Sequence, residues 1–267
     1  MRLYLTPGKE PGFVMQVLLI RHGDPDYTND TLTEKGHTEA RALAESLRHV
    51  PLHALYVSPF GRAQRTAKYT ARVKQMQPTT LEWIGELDGH FGGGRWCWNV
   101  SGSEHLLRDD LPTVANWHED VPYGELMRPQ YERLASNFDS LLEEYGYTRE
   151  GLRYRVDQSN DLTIALFCHA GLILTLLGHL LNWPVPLVYS HLSYDPTGVT
   201  RLLWEEVDGY AVPRAKTIND LSHLTNGRIS EWANGRMGEW ANRRMGEWAN
   251  GRISELANGR MGEWANG

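Results

Sequence analysis

The sequence predicts an α/β protein: a mostly parallel sheet with helices on both faces, a helical cap insertion and a repetitive C-terminal tail. Three observations carry the prediction. Short apolar runs rich in β-favouring residues alternate with longer segments of helical periodicity, joined by brief polar connections, as in strands crossed over by helices. That rhythm breaks between residues 89 and 160, where glycine and tryptophan gather in GHFGGGRWCW. It stops at Asn226, after which an octapeptide repeats.

Taken in order, QVLLI (16–20) reads as the first strand, and EKGHTEARALAESLRHV behind Thr33 reads as a helix with a threonine N-cap. ALYVS (54–58) is the second strand, residues 61–74 a helix, and TLEW (80–83) a third short strand. A long amphipathic helix is expected over 124–145. LTIALFC (162–168) is the most apolar strand and is followed by the helical GLILTLLGHLLN; VTRLLWEEV and YAVPRAKTI complete the sheet. The expected organisation is an N-terminal extension (1–14), a main domain (15–225) with a cap region at 89–160, and a tail (226–267).

Composition narrows the function. A formal charge of -6 without runs of one sign argues against a nucleic-acid groove or an anionic membrane surface as partner. The two cysteines, Cys97 and Cys168, make neither a metal-ligand spacing nor a disulfide framework, which fits a reducing compartment. MRLYLTPGKEPGFV lacks the uninterrupted apolar run of a signal peptide, and no membrane-length apolar run occurs. A cytoplasmic protein is expected.

In parallel sheets the ligand crevice lies beyond the carboxyl ends of the strands. Arg21 and His22 end the first strand, Ser58 ends the second, and His169 ends the apolar strand, so three distant segments aim polar groups at one edge. Guanidinium groups hold anions with paired donors in fixed geometry, and a neutral imidazole can act as a nucleophile. Arg62 and Arg65 both stand near this edge. Three carboxyl groups, Glu82, Glu86 and Asp88, lie together in and just after the third short strand and are available for proton transfer.

The motifs LLIRHG, LTEKGHTEARALAESL, YVSPFGRAQRTA, FCHAGLI and NDLSHL, in this order over Met15 to Leu224, resemble the histidine phosphatase superfamily, which includes the phosphoglycerate mutases. The resemblance implies a phosphoglycerate mutase-like fold and phosphomonoester hydrolysis through a phosphohistidine, with no metal or other cofactor. It implies His22 as the nucleophile, Arg21 and Arg62 as phosphate clamps and His169 as the second histidine of the pocket. Arg65 then becomes a solvated helix residue. The family's acid falls at Glu86, with Asp88 next, and the family's phosphate-contacting asparagine is replaced by Thr28, with Asn29 one position late.

The basic segments with which mutases hold a bisphosphate are not recognisable, nor is the Arg-x-Pro of histidine acid phosphatases. The expectation is therefore a phosphatase acting on a small phosphorylated metabolite; mutase-type transfer and a non-catalytic binding module are the alternatives. Trp96, Trp98, Trp117 and Tyr123 are expected in the cap, as core or as substrate contacts. The tail reads NGRISEWA, NGRMGEWA, NRRMGEWA, NGRISELA, NGRMGEWA, and its tryptophans form no single stripe on a helix or strand. Two readings stand: expansion of a short repeat without function, or spaced anchors for self-association.

Overall fold

The computed structural model describes residues 14–91, 94–119 and 123–225. The expected N-terminal extension, except its last residue, and the octapeptide tail lie outside the described residues.

The chain runs β1 (Gln16–Arg21), the paired β2 (Pro25–Asp26) and β3 (Thr31–Leu32), α1 (Glu34–Ser46), β4 (Ala54–Val57), α2 (Gly61–Lys74) and β5 (Thr79–Thr80). The segment that breaks the rhythm holds β6 (His90–Phe91), β7 (Arg95–Trp96), α3 (Gly102–Leu106), α4 (Arg128–Glu144), β8 (Tyr147–Glu150) and β9 (Arg153–Val156). Then follow β10 (Thr163–Cys168), α5 (Ala170–Leu181), α6 (Val185–His191), β11 (Val199–Val207) and β12 (Tyr210–Asp220). Contacts divide the chain after Leu221; of the second unit, the described residues form one short helix, α7 (Ser222–Thr225).

Eight strands make one sheet in the order β5-β4-β10-β1-β11-β12-β9-β8. The half from β5 to β1 is parallel, and the half from β11 to β8 is added antiparallel. Alternation along β1 and β10 explains the two layers of core. Leu18 and Ile20, beside Ala165 and Phe167, face α1 and α2 through Leu43, Ala63 and Ala67. Val17 and Leu19, beside Ile164 and Leu166, face α4 and α5 through Phe138, Ile173 and Leu177. Both strands are covered on both sides, so nearly every residue in them is apolar. Each fully buried Leu or Ile there is worth ~1.5–3 kcal/mol.

Helix boundaries follow local chemistry. Thr33 caps α1, its hydroxyl accepting the Gly36 N–H at 3.0 Å, as its sequence suggested. Helix α4 starts at Arg128, after an irregular turn over Tyr123–Met127, four residues later than the periodicity suggested.

Two further expectations change. The TLEW strand shrinks to β5: Leu81 N–H still bonds Val57 O at 3.0 Å, but Glu82–Ile84 then coil into a 3₁₀ turn that buries Ile84. Within 89–160, the β8–β9 hairpin extends the main sheet. Its two-residue turn holds Gly151 at φ +63°, and the turn between β11 and β12 holds Asp208 and Gly209 at φ +53° and +79°. Such tight turns impose antiparallel pairing within β8–β9 and within β11–β12. Among the described residues no helix is long and apolar enough to cross a membrane.

Candidate active site

The parallel half of the sheet delivers the site. His22 follows β1 directly; its N–H donates to Cys168 O at 3.0 Å, and its own carbonyl accepts Thr197 N–H at 3.1 Å. The next residue is tied from the other side, Gly23 N–H donating to the Thr66 hydroxyl of α2 at 2.9 Å. The imidazole is therefore held on a backbone fixed at several points.

The ring itself is almost fully buried. Its Nδ1 lies 2.8 Å from Gly23 O, and since a carbonyl only accepts, Nδ1 carries the proton there. Nε2 is left with its lone pair, and Arg62 Nε donates to it at 3.3 Å. Burial lowers the His22 pKa to about 3; the Arg21 and Arg62 charges add to this, against the hydrogen bond to Gly23 and the charge of Asp30. At neutral pH the ring is an uncharged base between two cations.

Arg62 sits in the first turn of α2 and is oriented by Asp30, whose Oδ1 accepts from Nη1 at 2.6 Å and whose Oδ2 accepts Gly61 N–H at 2.6 Å. Asp30 takes the left-handed conformation, φ +45°, to reach both. Burial opposes its charge, but the bonds from Gly61 and Arg62 outweigh that and hold its carboxyl below the usual range. The guanidinium carbon lies 4.7 Å from the Phe60 ring centroid and 5.4 Å from that of Tyr27. Arg21, the last residue of β1, donates to Tyr194 O, while its Nε is buried without a partner.

Glu86 has its carboxylate at the start of α5, where Oε1 accepts Leu172 N–H at 2.9 Å and Oε2 accepts Gly171 N–H at 3.2 Å. Burial raises its pKa in spite of those bonds, that from Leu87 and the Arg21 charge. His169 is fully buried; its Nε2 lies 2.7 Å from Ser58 Oγ, its Nδ1 has no hydrogen-bond partner, and its ring centroid stands 5.1 Å from that of His22. Burial and the neighbouring His22, Arg62 and Arg21 push its pKa well below the usual value.

Arg21, His22, Arg62 and Glu86 line one cavity of about 950 Å³, and His169 stands immediately behind it, off the lining. Asp88 also lines the cavity, whereas Glu82 and Arg65 do not. Neither Thr28 nor Asn29 does so; the Asn29 amide is bonded to Asp26 Oδ2 at 2.7 Å. Trp96 and Trp98 line the wall, while Trp117 and Tyr123 are buried core. Cys168 is a buried strand residue whose thiol pKa burial pushes up.

Sequence reasoning missed Asp30, Thr66 and Tyr194. Thr66 was visible inside the RAQRTA motif, as a hydroxyl one helical turn after Arg62, whose carbonyl it bonds at 2.8 Å. Asp30 and Tyr194 carry no local signal, because their partners are distant in sequence.

Paired arginines, two close histidines and a buried carboxyl thus meet beyond the strand ends of an α/β sheet, an arrangement with the donors to hold a phosphoryl group. The family model of the histidine phosphatase superfamily (branch 1) matches residues 17–217, and the chain belongs to that family. The adenosylcobalamin/alpha-ribazole phosphatase of Salmonella typhimurium is 25% identical over 183 residues, 64% of this chain and 81% of that protein. Mycobacterial glucosyl-3-phosphoglycerate phosphatase superposes with a TM-score of 0.55 at 21% identity, over 77% of this chain and 99% of that one. Phosphoserine phosphatase from Entamoeba histolytica, in complex with phosphoserine, gives 0.53 at 19%, over 79% and 99%. Phosphoglycerate mutase from Bacillus anthracis gives 0.55 at 18%, over 81% and 97%. At such identities the structural likeness is one of fold, phosphoglycerate mutase-like.

Proposed function

We propose that the protein is a phosphomonoester hydrolase that works through a phosphoryl group carried on His22 Nε2. The observation that carries the reading is the anchoring of Nδ1–H on Gly23 O at 2.8 Å, which leaves the Nε2 lone pair beside Arg62. Arg21 and Arg62 neutralise the phosphoryl oxygens as Nε2 attacks phosphorus. The bond to the leaving oxygen breaks, and Glu86, whose burial favours the protonated carboxyl, gives that oxygen its proton. Water then attacks phosphohistidine, its proton passing to the Glu86 carboxylate, and inorganic phosphate leaves. His169, its ring 5.1 Å from that of His22, is the second histidine of the pocket and backs the phosphoryl group from behind the cavity lining. The phosphatases among the similar proteins support hydrolysis over transfer to a second alcohol.

Brief reaction with ³²P-labelled phosphomonoester and an alkaline quench should trap acid-labile label that maps to His22 and is absent in His22→Ala. EDTA should leave turnover unchanged. Activity lost in EDTA and restored by a divalent metal, or label on another residue, would refute the mechanism; chase of the label into an added phosphoglycerate in preference to water would make the enzyme a mutase.

A further inference from the structure

We infer that the substrate is a nucleoside-type phosphomonoester: a single terminal phosphate, a hydroxylated sugar and a flat ring, with no second anionic group. This rests on the phosphatase reading of the site and adds what the remainder of the cavity selects. The cavity measures about 950 Å³, against ~30 Å³ for one water in the liquid, so a phosphoryl group leaves most of it to the alcohol.

The wall offered to that alcohol is aromatic. Trp96 stacks on Trp98, ring centroids 5.1 Å apart and planes 23° apart, and Trp98 meets Tyr189 edge-on at 6.4 Å. Trp98 is seated by two glycines: a Cβ at Gly89 would stand 2.2 Å from its ring and one at Gly171 2.6 Å. Gly171 is also a residue whose N–H binds Glu86, so the aromatic wall adjoins the acid, on the side from which the leaving alcohol departs. A flat ring stacked on indole is the occupant this surface fits.

Charge excludes the alternatives. Arg21 and Arg62, the phosphate clamps, are the only Arg or Lys among the described lining residues, and His191 is the only other basic group besides His22. Of the two lining carboxyl groups, Glu86 is bonded at the start of α5 and Asp88 stands exposed on the wall. A carboxylate there repels a substrate carboxyl group or a second phosphate, while Asp88 and the neighbouring lining residue Asn99 offer an acceptor and an amide to sugar hydroxyls.

The test is kcat/KM for adenosine 5′-monophosphate, phosphoserine and fructose 1,6-bisphosphate in wild type, Trp96→Ala, Trp96→Phe and Asp88→Lys. Trp96 is 38% exposed, so its truncation opens no core void. The nucleotide should be preferred over phosphoserine at least ~10-fold, and Trp96→Ala should cut that ratio roughly 5- to 150-fold, the scale of one base stacked on an aromatic side chain. Trp96→Phe should keep most of the preference, and Asp88→Lys should shift it toward the bisphosphate. A wild-type preference for phosphoserine or the bisphosphate, or a ratio unmoved in Trp96→Ala, would overturn the inference. Calorimetric binding of the same compounds to His22→Ala needs no turnover. The same ranking there without hydrolysis by wild type would count against the phosphatase reading alone. No ranking, alongside trapped phospho-His22, would count against the substrate alone.

Discussion

Burial disfavours the charged forms of both Glu86 and His22, with opposite consequences for the pH dependence of turnover. A buried carboxyl has its pKa raised, so its proton-donating form persists to higher pH than usual and is lost as pH climbs through the raised value. A buried imidazole has its pKa lowered, to about 3 for His22, so its nucleophilic form is lost only as pH falls toward that value. The rate with poor leaving groups should therefore decline on the alkaline side because of Glu86, while His22 sets no limit near neutrality. Glu86→Gln should cost roughly 10²-fold or more with an alkyl phosphate, abolish the alkaline limb, and cost much less with p-nitrophenyl phosphate, whose leaving group needs little protonation. Equal losses on both substrates would assign the acid to Asp88 or to water. His22, Arg62, Glu86 and His169 were readable because each sits in a local motif, and Glu86 was set apart from Glu82 and Asp88 by motif position. What no motif carries is the support: Asp30 acquires its meaning only when the β2–β3 loop is folded against α2.

Helix α2 holds Arg62 in its first turn, and its N-terminal N–H groups are served from outside the helix. Phe60, its N-cap residue, provides no side-chain cap; Asp30 accepts Gly61 N–H instead. One carboxylate thus caps the helix and aims the guanidinium. Asp30→Asn retains a capping oxygen but loses the charge that pairs with Arg62. It should lower kcat/KM roughly 10- to 100-fold, the cost of a small misplacement at a reacting centre, with only a small change in melting temperature. A large melting shift with normal kinetics would show that Asp30 serves the helix alone. The elements most legible in the sequence were those with a buried face on each side or a full helical stripe: β1, α2, β10, and α5 to within a residue. Short edge elements were not. In β8 and β9, Tyr147 and Tyr154 are buried while charged neighbours stay partly exposed, a pattern spread over too few residues to announce a strand.

On the scale of the molecule, the family match ends at residue 217 and the last strand at Asp220, so a chain cut after Thr225 keeps every strand of the sheet and every residue placed at the site. We expect residues 1–225 to match the full chain in melting temperature and kcat/KM. A fall of many degrees or loss of turnover would mean that the octapeptides belong to the folded domain, and a change confined to mass by light scattering would mean that they drive self-association. The order of strands also bears on how the chain comes to be folded. Of the described strands β1 leaves the ribosome first, yet its two neighbours in the sheet are β10 and β11, with Leu18 beside Ala165 on one side and Arg201 on the other. At ~5–20 residues per second, an apolar strand leading into the proposed nucleophile stays unpaired for roughly 7–30 s while the intervening chain is made. Nothing made earlier can substitute, since β4 and β5 join the sheet only through β10. The catalytic edge is thus assembled late in translation, and until then the nascent chain carries an unpaired apolar strand of the kind that aggregates or engages chaperones.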